Sequence, residues 1–359
     1  MSAGIHEIFG SVGAALGVDG FDGAIEFPSA RGYVVVLVDG MGETLLREHA
    51  ELAPWLSGLP AYAGIRSSIP STTSVSLTSL GTGLRPGAHG MAGYTCRIPG
   101  TMRVLNTLSW NADVEPEEWQ PHRGVLARLA DRGVEATVVN QRRFARTGLT
   151  RCSQAGVPFV GVSDPAERLD AVADASDRPA ATVVYAYEPR LDHTGHGEGV
   201  DSDAWRETLA IVDRELAELR QELPKDVAMV VTADHGMVDL PDRGRFDVDE
   251  RPELLEGVAL LAGEARFRHL YTSAGREAEV ADLWREALGD RAVVALRDEV
   301  DWFGPIDPAV RGRFGDVLVA SLGDFGVFSS RRFTVELGLR GFHGSVTEAE
   351  TSIPLLVAF

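Results

Sequence analysis

Cysteine and lysine are almost missing from this chain of 359 residues: Cys96, Cys152 and Lys225 are its only examples. Two cysteines are too few for a disulfide framework and lack the spacing of metal ligands, so the fold must rest on a packed core. They read as two buried thiols in a reducing compartment. No stretch approaches the ~20 consecutive apolar residues that span a bilayer. The segment from Met1 to Gly20 has no basic region and carries Glu7, unlike a secretory signal. A cytoplasmic protein without a membrane partner is therefore expected. Positive charge is also scarce, with 34 Lys and Arg against 53 Asp and Glu, a net charge of −19 and a pI near 4.9. Neutralising phosphates along a polymer requires a basic surface, so the charge argues against a non-specific nucleic-acid binder, and no nucleic-acid polymer is expected as a partner. Nothing in the sequence reports the oligomeric state.

What is present is a 44% hydrophobic chain, long enough for one large core or for a core carrying an inserted smaller unit. Tyr33 to Val38 is a continuous β-branched run of the kind found in parallel strands buried on both faces, and it stops at Asp39-Gly40. Thr182 to Tyr187 and Val227 to Thr232 repeat the pattern, ending just before Asp192 and Asp234. Helical patterns at Gly124 to Arg132 and Asp203 to Leu223 alternate with these runs, which argues for an α/β fold with a doubly wound, mostly parallel sheet. In such sheets ligands bind at the carboxyl ends of the strands. Residues 241–340 look different: a charged opening, a strand near Arg266 to Thr272 and a helix from Glu277 to Leu288 suggest a small α+β cap insert. The core is thus expected to comprise 1–240 and to resume at 341–359.

Three short segments concentrate the chemistry: Val38-Asp39-Gly40, Asp192-His193-Thr194-Gly195-His196 and Ala233-Asp234-His235-Gly236. With His343 they supply carboxylates and imidazoles in the number that two zinc-class ions require. In Asp192-x-x-x-His196 a single turn can place both side chains on one ion, with Gly195 allowing a sharp bend. A nucleophile is expected within Ile69-Pro70-Ser71-Thr72-Thr73-Ser74-Val75-Ser76, because a hydroxyl at a helix start sits where free N–H groups favour an alkoxide and a phosphate.

These pieces resemble the type I phosphodiesterase/nucleotide pyrophosphatase family of the alkaline phosphatase superfamily. The resemblance is carried by Asp39-Gly40 after its strand, by the block from Ile69 to Gly90, by Asp192 to His196, by Thr232 to Met237 and by Gly341 to Gly344, in family order. It implies an alkaline-phosphatase-like fold. It also implies one zinc on Asp192, His196 and His343, another on Asp39, Asp234 and His235, and Thr73 bridging them as the nucleophile. Manganese or iron would also suit such oxygen and nitrogen donors. The chain departs from the family's pattern at Thr72, where a lysine is frequent, and at Ser76, where an asparagine binds a phosphoryl oxygen; Ser76 is the substrate-binding candidate there, but its side chain is shorter, and a backbone N–H, including that of Thr73, could take the oxyanion role instead. Two dications against three carboxylates and an alkoxide leave the site about neutral, which matches a monoanionic diester. The implied function is cleavage of phosphodiester or pyrophosphate bonds in small, nucleotide-like substrates through a phospho-threonine intermediate. Phosphomonoester, phosphonate and sulfate-ester hydrolysis are the alternatives, and a non-catalytic metal-stabilised binding module is remote.

Other residues are candidates of lower rank. His193 could touch substrate, and Tyr94, Trp110 and Phe342 could stack on a leaving group. Arg66, Arg85, Arg97 or Arg190 could supply a pocket cation. His89 reads as structural, and Glu198, Asp239 and Asp242 as solvated carboxylates.

Overall fold

The computed structural model describes residues 3–359. The strands of its two larger sheets are, in chain order, β1 (Gly32–Val38), β2 (Glu135–Gln141), β3 (Phe159–Val162), β4 (Thr182–Glu188), β5 (Val227–Thr232), β6 (Val258–Glu264), β7 (Phe267–Thr272), β8 (Ala292–Leu296), β9 (Val317–Ser321) and β10 (Leu355–Ala358). The main sheet runs β10-β5-β1-β4-β2-β3 and is parallel except for β10, which pairs antiparallel with β5. Every residue of β1, β4 and β5 is buried, which is why these runs are apolar throughout instead of alternating. Helices flank the sheet. The longest, Asp203–Glu222, starts at Ser202, whose hydroxyl accepts from the Trp205 amide, and it buries Trp205, Leu209, Val212, Leu216 and Leu219. The fold class expected from the sequence is the one observed.

Between β5 and β10 the chain builds a second sheet in the order β6-β7-β9-β8, antiparallel throughout. The helix Glu277–Leu288 lays Val280, Trp284 and Leu288 against Leu261, Leu270 and Val317 in a separate apolar cluster. The other side of this sheet joins the main core through Phe267, Leu318 and Ala320. Polar contacts add to that junction. The Thr95 hydroxyl donates to the Gly263 carbonyl (2.7 Å), His269 Nε2 donates to the Ala92 carbonyl (2.8 Å), and fully buried Arg266 pairs with Glu350 (2.6 Å). The residues of 241–340 are therefore packed onto the core along one face. No helix among the described residues is long and apolar enough to cross a membrane.

Candidate active site

The carboxyl ends of β1, β4 and β5 converge on one basin. β1 stops at Asp39 because Gly40 turns the chain with φ +73°, and a Cβ on Gly40 would lie 3.1 Å from the Asp192 Cα. The turn lets the Gly40 amide donate to Asp234 Oδ1 (3.2 Å), tying two strand ends together. The Tyr187 hydroxyl, at the end of β4, donates to Asp39 Oδ2. Asp192 and His196 lie one turn apart on the helix Arg190–Glu198, so their side chains share a face. Gly195 is inside that helix and makes no bend, contrary to expectation. Its missing Cβ would fall 2.5 Å from Met237 Sδ, so close packing is what requires glycine there. His343 follows the short strand Gly341–Phe342, which pairs antiparallel with Val238–Asp239.

Two donor sets result. Asp39, Asp234 and His235 present ligand atoms within 4.8 Å of one another, and so do Asp192, His196 and His343. His235 Nε2 lies 3.3 Å from Asp39 Oδ1 and 3.5 Å from Asp234 Oδ2; His196 Nε2 lies 3.4 Å from Asp192 Oδ1. The sets touch where the rings of His235 and His343 stack, with centroids 3.6 Å apart.

Hydrogen bonding fixes what these groups can hold. The Nδ1 atoms of His196, His235 and His343 face the carbonyls of Gly341 (2.8 Å), Gly236 (3.0 Å) and Ser71 (2.9 Å). A carbonyl only accepts, so each Nδ1 carries a proton; the neutral rings of His196 and His343 turn a bare Nε2 lone pair inward, and His235 would do the same on giving up its second proton when a cation binds. Two such lone pairs, on His196 and His343, lie 3.2 Å apart. Asp39 Oδ1, Asp192 Oδ1 and Asp234 Oδ2 are buried without hydrogen-bond partners. Lone pairs and orphan carboxylate oxygens converging in this way fit a divalent cation in each set.

The protonation tendencies show the same strain. Burial, and then the Asp39 charge, pushes Asp192 and Asp234 well above the carboxylate range. His235 is drawn down by burial but pushed up to about 10 by Asp234 and Asp39, while Asp39, despite burial, is lowered by His235. His343 falls well below its usual value through burial and the neighbouring imidazoles. Three carboxylates cannot all ionise here on one imidazolium; bound cations would remove the conflict.

Thr73 opens the helix Thr73–Thr82, and its Oγ1 lies 3.1 Å from His235 Nε2. The helix is buried throughout although rich in hydroxyls, because these find internal acceptors. Thr78 and Thr82 donate to the carbonyls four residues back, and Ser74 donates to the Gly93 carbonyl. Ser76 does not reach the basin: one turn down the helix, its fully buried Oγ lies 3.4 Å from the Ser68 amide and lines neither adjoining cavity.

Two cavities of about 230 Å³ each flank the donor sets and share Thr73, Leu108 and Asp192. The first is lined by Tyr94, Glu264, Glu336, Phe342 and His343, among others. The second is lined by Asn140, Arg143, Phe144, Gln154, Tyr187 and His193, among others. Tyr94, Phe342 and His193 thus lie where a substrate could touch them. Trp110 does not: its indole packs on Gly148 and donates to the Val114 carbonyl. Fully buried His89 lies 2.8 Å from the Ser79 hydroxyl and accepts from the Met91 amide, and burial lowers it to about 3, a structural role. Glu198 is exposed, Asp239 accepts from the Val200 amide and Asp242 is exposed. Arg66, Arg85 and Arg190 pair with Glu348, Asp301, and Glu188 with Glu215, respectively, while Arg97 donates to the Gly312 carbonyl; none lines either cavity.

Sequence reasoning missed Glu264 and Arg143. Glu264 ends β6, in the segment least like the family pattern, and no local signal points inward from there. Burial first, and then the Glu336 charge, raises it to about 8.

The sequence matches the model of the type I phosphodiesterase/nucleotide pyrophosphatase family over residues 33–345. No curated protein matches it. Its fold is similar to that of murine ectonucleotide pyrophosphatase/phosphodiesterase 5, at 17% identity and a TM-score of 0.72 over 90% of this chain and 87% of that one. An inactive threonine-to-alanine form of the murine protein, in complex with AMP, compares at 16% identity and 0.72 over the same shares. The human counterpart compares at 14% and 0.70, again over 90% and 87%. At these identities the structures speak for the fold alone, whereas the family match spans most of the chain and covers every converging segment described above. This chain belongs to the type I phosphodiesterase/nucleotide pyrophosphatase family, hydrolases of phosphodiester and pyrophosphate bonds.

Proposed function

We propose that the protein hydrolyses small phosphodiesters of nucleotide-like character, with Thr73 as the nucleophile and two zinc ions as cofactors. The observation that carries this reading is the convergence of two carboxylate-imidazole sets, with orphan oxygens and inward Nε2 atoms, on one helix-start hydroxyl. Asp39, Asp234 and His235 would hold one ion, and Asp192, His196 and His343 the other. Bound ions of this kind supply Lewis acidity, lowering the pKa of an attacking hydroxyl and neutralising phosphoryl and leaving oxygens.

The chain's own groups do the rest. His235 of the first set lies 3.1 Å from the Thr73 hydroxyl, and a helix start at Thr73 would favour the charge of an incoming phosphoryl group. Attack by Oγ1 forms phospho-Thr73 and releases the leaving alcohol; water then cleaves the phospho-threonine and restores the hydroxyl. The Nδ1–carbonyl bonds keep the three imidazoles in one tautomer throughout. Among the described residues the two cavities present no Lys and a single Arg, the exposed Arg143, which favours a monoanionic diester over a dianionic monoester. The cytoplasm is the proposed location, as the two buried free thiols suit it.

The test is kcat/KM of the zinc-loaded protein on an aryl phosphodiester and on the matching monoester, measured side by side. A strong diester preference is expected. A monoester preference would overturn the diesterase reading in favour of a phosphatase.

A further inference from the structure

We infer that the substrate carries a second phosphate, on the sugar of the group that stays attached to phosphorus, and that Arg143 receives it at the mouth of the cavity lined by Asn140, Phe144 and Gln154. The inference rests on the diesterase reading and narrows its substrate class to nucleotides phosphorylated twice. Placement comes first. This cavity follows the nucleophile's own helix from Thr73 to Leu77 and takes in Asp39 and Tyr187. It lies on the side from which Oγ1 attacks, opposite an in-line leaving oxygen, and so holds what remains on phosphorus.

Charge comes second. The chain holds 53 Asp and Glu, yet none lies between Glu135 and Asp164, a segment that carries Arg142, Arg143, Arg146 and Arg151. Arg151 pairs with Glu115 and Glu117 from outside the segment. Arg142, Arg143 and Arg146 are exposed, and among the described residues none of these three makes an ion pair. Arg143 is nevertheless held in place. Its guanidinium lies 4.7 Å from the centre of the Phe144 ring, and Phe144 meets Tyr187 edge to face at 6.1 Å. Because the Tyr187 hydroxyl donates to Asp39, this stack fixes a positive group one aromatic layer beyond the first donor set. The wall between is polar. Asn140 is 3% exposed, its Oδ1 accepts from the Gln141 amide, and Gln154 Oε1 is buried without a hydrogen bond, an acceptor that a sugar hydroxyl would satisfy. A guanidinium binds phosphate oxygens in pairs, and two further arginines close by in the chain raise the potential there.

In the reaction, the new Oγ1–P bond replaces the P–O bond to the leaving alcohol, whose oxygen takes a proton from solvent while the threonine proton is lost to it. Water then exchanges for Oγ1 on phosphorus and returns a proton to it. The product is a nucleoside bisphosphate, and the phosphate on Arg143 is untouched.

The test uses two substrates that share one nucleoside and one leaving group: the p-nitrophenyl ester of thymidine 5′-monophosphate, and the same ester bearing a 3′-phosphate. The ratio of their kcat/KM values cancels leaving-group reactivity and any difference in the amount of folded protein. Zinc-loaded wild type should prefer the 3′-phosphorylated ester by about tenfold, the size of a charge-assisted hydrogen bond, and the preference should shrink as salt is raised, since Arg143 is exposed. Arg143→Ala should bring the ratio close to one. Arg143→Lys, which keeps the charge but loses the fork, should retain part of the preference. As a check without turnover, thymidine 3′,5′-bisphosphate should inhibit wild type more strongly than thymidine 5′-monophosphate, and Arg143→Ala should remove the difference. A wild-type ratio at or below one, or a preference that survives Arg143→Ala, would overturn the inference and leave the diesterase reading standing. Absence of turnover on both esters would overturn both.

Discussion

The two donor sets use the same residue types but are built by different parts of the molecule. Asp39, Asp234 and His235 stand at the ends of neighbouring parallel strands, with side chains no more than 3% exposed. Asp192, His196 and His343 come from a helix and from the chain's return after the second sheet, and are 15%, 25% and 7% exposed. The first set is a by-product of packing the main core: the burial that stabilises β1 and β5 also immobilises its ligands. The second set exists only if the segment from Leu240 to Gly341 folds onto the core and delivers His343. A deeply buried site should hold its ion tightly and exchange it slowly, whereas the more open set should exchange faster and respond to changes in the second sheet.

The largest expected effect leaves both sets intact. Thr73→Ala should lower turnover by about 10⁴-fold or more while the metal content stays at two ions per chain, since it removes the nucleophile and no carboxylate or imidazole. Kinetics with metal analysis on the same sample checks this, and undiminished turnover would move the nucleophile elsewhere in the hydroxyl-rich run. Next comes the junction that serves only the second set. Glu350 accepts from Arg266 and from the Ser345 amide two residues beyond His343. Glu350→Ala strands a fully buried guanidinium, and a cost of about 3–5 kcal/mol is expected in the urea midpoint. The variant should also bind its second ion more weakly; an unchanged second affinity would show that His343 is held independently of the second sheet.

Titration with a chelator separates the sets directly. Metal content should fall in two steps, the first removing one ion and most of the activity, and a single step would erase the distinction drawn from burial. The smallest effect is expected at Tyr187, whose hydroxyl orients Asp39. Tyr187→Phe should weaken one ion by about tenfold, the usual size for a group that hydrogen-bonds a metal ligand, and the slower of the two chelation steps should carry the change.

Legibility in the sequence followed burial. β1, β4 and β5 are buried along their whole length, so their apolar runs announce both the strands and the carboxylates that end them. β3 sits at the sheet edge, partly exposed and four residues long, and its composition does not separate it from a loop. Gly195 could be read either as a hinge or as a contact, because glycine serves both and only its neighbour, Met237, decides. Ser76 is a candidate by family resemblance alone, and only the fold sets its buried Oγ beside the Ser68 amide.

The sequence by itself determined the fold class, the family and the six carboxylate and imidazole residues, because short motifs at strand ends and along one helical turn keep their geometry wherever the chain puts them. Tertiary structure alone decided how close the two sets stand, which tautomer each imidazole adopts, and that Glu264 faces the basin. Those depend on contacts between segments far apart in the chain, such as Thr73 with His235 or Ser71 with His343, and such contacts arise only when the two sheets pack together.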